Sequence, residues 1–165
     1  HRAAPEPQAA FSTTTPGRHP MNRVVSLDPG RSKCGLILVD CNRHSVIEGH
    51  VLATEAVPGT LLRWRTVAAI DRLVMGNGTA SDSLKRQLPA DLPVKVVDER
   101  GSTLRARKRY WQLWPPRGWR RFIPQGLLLP PTELDAVAAL VILESELGQQ
   151  LVWPGPAPIR TGRAQ

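Results

Sequence analysis

The sequence is poor in several of the residue types that would announce a function. It has only two cysteines in 165 residues, Cys34 and Cys41. They lie on or just beyond one run that reads as extended, too far apart to bridge while it stays extended. Reduced thiols in a cytoplasmic protein are therefore expected. The two do not form a Cys-x-x-Cys pair, and the four histidines, His1, His19, His44 and His50, are scattered, so no zinc site with ordinary ligand spacing emerges. No apolar run approaches the length of a membrane span, and a soluble protein is expected. The longest such run, around Ala136 to Leu143, is amphipathic in outline. There is no internal repeat, and Gly76-Asn77-Gly78 is too short for a dinucleotide or P-loop fingerprint. Acids are scarce as well: 14 Asp and Glu against 22 Lys and Arg give a net charge of +8, with a pI near 10.7. A positive field of that kind attracts polyanions, nucleic acid or a membrane surface.

What is present reads as one domain, long enough to bury a core without disulfides. Residues 1–21 mix Pro, Ala and Thr with little apolar periodicity and read as a disordered tail. The folded domain is expected over residues 22–150, and residues 151–165 read as a disordered or loosely packed tail. Val24, Val25 and Leu27 form a first strand, Pro29-Gly30 a tight turn, and Cys34 to Val39 a second strand. Ser45 to Thr54 alternates around β-branched residues and pairs as a third. Helical spacing from Leu61 to Ile70, a short apolar run at Leu73 to Met75, a helix over Ser81 to Leu88 and a strand at Val94 to Val97 follow. Three meandering strands and then alternating helix and strand imply an α/β fold, with a mixed five-stranded sheet flanked by helices.

Three acids stand at telling places in that order. Asp28 ends the first strand, Glu99 follows the fifth, and Asp135 lies in the first turns of the last helix, TELDAVAALVILESEL, with Thr132 as its expected cap. Loops at the carboxyl ends of strands are where α/β sheets gather ligand sites. Taken singly, two of the three have an ordinary explanation: a turn residue at Asp28, helix-dipole compensation at Asp135. Between Arg100 and Arg121 there is no acid at all, while Arg105, Arg107, Lys108, Arg109, Arg117, Arg120 and Arg121 crowd the stretch. Such a block is a candidate phosphate track. Tyr110, Trp111, Trp114, Trp119 and Phe122 are interleaved with it, and about half of these rings are expected to be core.

Asp28 in LDPGRSKCG, the Gly76-Asn77-Gly78-Thr79 turn, Glu99 in VDERGST and Asp135 in ELDAVAALVILE, taken together, resemble the YqgF family, also called RuvX, within the RNase H-like superfamily. The resemblance spans about Arg23 to Leu147. Gly101 stands where relatives more often carry a bulkier residue, and the Trp-rich stretch around Trp119 is unusual. The resemblance implies an RNase H-like fold and a nuclease in which Asp28, Glu99 and Asp135 hold Mg²⁺ or Mn²⁺ and carry catalysis. Hard divalent cations prefer such oxygen ligands. It also brings in two substrates, structured RNA in pre-16S rRNA processing and branched DNA at a Holliday junction. A non-catalytic nucleic-acid-binding module of the same fold is the competing reading. Arg31, Lys33 and Arg100, beside the acids, are expected to hold phosphates together with the basic block. A homodimer stays open as the assembly.

Overall fold

The computed structural model describes residues 22–161; the N-terminal tail expected over residues 1–21 lies outside them. The first strand β1 (Arg23–Asp28) runs antiparallel to β2 (Lys33–Asp40), which is antiparallel to β3 (Ser45–Ala53). The chain then forms α1 (Val57–Val67), β4 (Arg72–Gly76), α2 (Ser81–Gln87) and β5 (Val94–Val97). Next come α3 (Ser102–Leu113), α4 (Asp135–Leu147) and a two-residue strand β6 (Arg160–Thr161). The sheet order is β5-β4-β1-β2-β3-β6. Strand β4 pairs parallel with β1 and with β5, so β2 alone opposes the rest. This is the mixed sheet that the strand and helix order predicts, with β6 added to the expected five strands at the β3 edge.

Strand alternation sorts the core into two faces. Val25, Leu27, Leu36 and Leu38 point to one side and pack with Leu61, Trp64 and Leu84 of α1 and α2. Val24, Ile37, Val39 and Val74 point to the other and meet Ala136, Ala139, Leu140 and Leu143 of α4. The small residues let α4 come close: the Ser26 hydroxyl donates to the Ala139 carbonyl at 2.6 Å. A Cβ on Gly35 would collide with the backbone carbonyl of Asp135, so the cross-strand partner of Asp28 has to be glycine for the helix to start there.

Four expectations need correction. Ala136 to Leu143 is not amphipathic: every residue in it is buried, because α3 covers the side turned away from the sheet through Ala106, Tyr110 and Trp111. The last helix begins at Asp135 and Thr132 does not cap it, its hydroxyl being buried without a partner. Helix α1 starts earlier than expected, with Pro58 inside its first turn, where the missing amide costs nothing. Finally, the segment after α4 is anchored rather than loose as far as Thr161. Leu151 is 2% exposed, Val46 N–H donates to the Val152 carbonyl, and the Trp114 indole N–H donates to Gly155 at 3.0 Å with its ring against Trp153. Both cysteines are free thiols.

Candidate active site

The parity that places Val24 and Ser26 on the α4 side of the sheet puts Asp28 there too, at the end of β1. By the same parity Val74 and Gly76 of the neighbouring β4 face α4. Glu99, just past β5, lays its carboxyl across the end of β4. A Cβ on Gly76 or on Gly78 would collide with that carboxyl, and the Gly78 position also abuts the Pro29 carbonyl. The Gly76-Asn77-Gly78 turn is therefore the bed on which Glu99 lies, and Asn77 fixes the loop by accepting the Glu99 amide on Oδ1 at 3.2 Å. Gly101, the departure from the family pattern, has φ 72°, a left-handed conformation that a bulkier residue adopts only with strain.

This brings the carboxyls of Asp28 and Glu99 within hydrogen-bonding reach of one another. Burial raises the Asp28 pKa from 3.8 to about 8, reinforced by the Glu99 charge, by the hydrogen bond to Glu99 and by the Asp135 charge. As two carboxylates neither can donate to the other, and Glu99 Oε2 is left buried without a donor. Something that supplies positive charge or a proton is required there.

Asp135 is drawn in less completely. It sits close enough to act on Asp28 by charge, yet Lys33 Nζ lies 3.4 Å from its Oδ2 and 3.0 Å from Glu133 Oε1. Among the described residues no group of three or more His, Cys, Asp and Glu side chains is already gathered to hold a metal. The structure thus joins Asp28 to Glu99, places Asp135 beside them, and spans Asp135 and Glu133 with an internal cation. Lys33, expected to face phosphate, instead lies between two acids, and Glu133 joins the site as a residue that the sequence did not single out. Nothing local in the sequence links Lys33 to Glu133, which lie 100 positions apart.

No protein-family model and no curated protein matches the chain. Among solved structures the chain is similar to one described as "T. thermophilus RuvC in complex with Holliday junction substrate", at 14% identity and a TM-score of 0.41, over 79% of this chain and 98% of that one. So distant a likeness bears on neither substrate nor chemistry.

The basic residues divide sharply. Arg109 is 12% exposed and forms a forked pair with Glu144, itself 10% exposed, while also donating to the Leu151 carbonyl at 2.9 Å. It is a structural tie between α3, α4 and the last segment, and its expected place on a phosphate track is corrected. Arg105 is exposed and donates to Ser145. Arg31, Arg100, Lys108, Arg117 and Arg121 are exposed, and Arg107 and Arg120 are half-buried. Arg100 leans toward its neighbour Asp98 at 3.4 Å. Of the five interleaved aromatics, Tyr110 and Trp111 are core, Trp114 is half-buried, and Trp119 and Phe122 are exposed.

Proposed function

We propose that this protein is a divalent-metal-dependent nuclease acting on structured nucleic acid. The observation that carries the reading is the Asp28–Glu99 pair, two carboxyls from the ends of β1 and β5 that meet across the end of the intervening β4, with one oxygen buried and lacking a donor. Repelling, desolvated carboxylates are costly to a fold and useful to a hard cation, whose charge removes the repulsion. The residues fit Mg²⁺ or Mn²⁺: Asp28 and Glu99 would hold it, with Asp135 completing the ligand set. When bound, such an ion lowers the pKa of water and offsets charge at a phosphodiester.

The chain's own residues prepare the rest. Gly76 and Gly78 keep Glu99 flat on the sheet, and Gly35 lets α4 bring Asp135 beside Asp28. Lys33, paired with Asp135 and Glu133, neutralises that flank until a stronger cation competes for Asp135. Arg31 and Arg100 flank the acids and supply positive charge for a phosphate backbone. The substrate reading, pre-16S rRNA first and a four-way DNA junction second, rests on the family resemblance. The contact of Lys33 with Asp135 favours one competing reading, a nucleic-acid-binding module of the same fold in which this pair is permanent.

Thermal unfolding with and without Mg²⁺ or Mn²⁺ separates the two. A ligand that binds only the folded chain raises its melting temperature. Wild type should rise with metal, while Asp28→Asn and Glu99→Gln should not. Equal responses in all three proteins would favour the non-catalytic module.

A further inference from the structure

The stretch between α3 and α4 has features that the acidic site does not use. From Gly101 to Thr132 the chain carries no Asp or Glu. Within it, the 3-10 turn Gly118–Phe122 holds out Trp119 at 73% and Phe122 at 77% exposure. These rings are not surplus to a filled core by composition, since the chain has only eight aromatic residues and buries Tyr110 and Trp111 a few positions earlier. Leaving a Trp and a Phe in water is unfavourable unless something covers them. The guanidinium of Arg121 already stacks on Phe122, 4.9 Å from the ring centre.

Beside the turn is a cleft of about 380 Å³ between the end of α3 and the loop, walled by Trp114, Pro115, Pro116 and Pro131, with Arg117 and Arg120 also lining it. Its walls are flat and apolar, its charge is positive, and its size suits one nucleotide. Paired bases hide their faces within the stack, so a duplex offers such a surface only phosphates and edges. Unpaired bases offer their faces.

We propose that this arm binds unpaired nucleotides, Trp119 and Phe122 stacking on bases while Arg117 and Arg120 hold the phosphates that connect them. This rests on the nucleic-acid reading above and narrows it to substrates with single-stranded or splayed nucleotides near the cut. Helix α3 begins three residues after Glu99 and leads into the arm, so strand held there is tethered to the acidic site. An anionic membrane is the other surface that exposed rings and arginines suit, and the test includes it.

Binding is read by fluorescence anisotropy in metal-free buffer, using a labelled oligothymidylate and a blunt duplex of the same length. Vesicles of phosphatidylcholine with phosphatidylglycerol form a third arm. Wild type should bind the oligothymidylate more tightly than the duplex. The double variant Trp119→Ala/Phe122→Ala should lose about 10-fold or more on the single strand and little on the duplex, and Trp119→Phe/Phe122→Trp should restore the preference. Both replaced side chains are exposed, and circular dichroism of each variant checks the fold. Unchanged single-strand binding in the alanine variant, or an equal loss on both probes, overturns the proposal while leaving the nuclease reading standing. So does vesicle binding that the alanine variant alone abolishes, with its oligothymidylate binding intact. If wild type binds neither nucleic-acid probe, the proposal and the nucleic-acid reading fall together.

Discussion

The acidic end of the sheet and the basic arm that leaves it are joined at Glu99 and Ser102, yet they hold charge in opposite ways. At the sheet end, like charges are brought together by backbone: β1 and β4 pair in parallel up to Leu27 and Met75, one residue short of Asp28 and Gly76, and the glycines at 76 and 78 leave the room in which the Glu99 carboxyl lies. In the arm, like charges are spread along a helix and a 3-10 turn, mostly in water, where they cost the fold little. The first region is unfavourable until an ion arrives, and the second needs no relief. Arg109 shows the boundary between them, for it lies in the arm's sequence and is buried like a core residue.

Substitutions can break that contrast. The largest effect on stability is expected in the arm rather than at the site. Arg109→Ala leaves Glu144 buried with its main cation gone and should cost about 3–5 kcal/mol in denaturant unfolding. An exposed arginine such as Arg121 should cost under about 0.5 kcal/mol when replaced by Ala. Equal losses would mean that the division within the arm is wrong.

Next comes the pH dependence of the site. The folded-state pKa of Asp28, near 8, lies above its unfolded value of 3.8, so between those values the folded chain holds more protons. Its contribution to stability is complete below about pH 4 and is lost as pH rises toward 8. Metal-free protein should therefore lose stability across that window, by about 1–3 kcal/mol from this group once relaxation is allowed for. Asp28→Asn should flatten the loss. A wild-type profile that rises through the same window would contradict the close pairing with Glu99.

Gly76→Ala tests the bed under Glu99. Its Cβ displaces the carboxyl, at a cost of about 1–3 kcal/mol, and should weaken metal binding in calorimetric titration by about 10-fold or more. Retained affinity would show that Glu99 acts from another position.

The smallest effect sharpens the arm. Each of Lys108, Arg117 and Arg121, replaced singly, should lower the slope of log binding constant against log salt by about 1 if it contacts a phosphate. Arg109 should not enter that slope.

Much of this arrangement was legible in the chain itself. The apolar runs at Val24 to Leu27, Cys34 to Val39, Leu73 to Met75 and Val94 to Val97 mark the strands, and their sequence of three strands followed by alternating helix and strand marks a mixed sheet. The places of Asp28, Glu99 and Asp135 at element ends follow from the same pattern. What could not be read was tertiary. Arg109 looks like its neighbours until Glu144, 35 residues later, is folded against it. Lys33 and Glu133 are separated by 100 positions, and neither carries a local sign of the other. The helix from Ala136 lost its amphipathic outline because α3 lies on the face that would otherwise meet water. The anchoring of Leu151 and Trp153 is of the same kind, apolar residues in a Pro-rich stretch whose partners lie on α3, α4 and β3.

The most direct test of the central claim is cleavage of matched substrates, a four-way DNA junction and a precursor rRNA fragment, by wild type and Asp28→Asn in Mg²⁺ or Mn²⁺. Wild type should cut at least one of them only with metal present, and Asp28→Asn should bind it normally and cut at least about 100-fold more slowly. Cleavage by Asp28→Asn at the wild-type rate would contradict the assignment of this strand-end acid to the metal and the reaction.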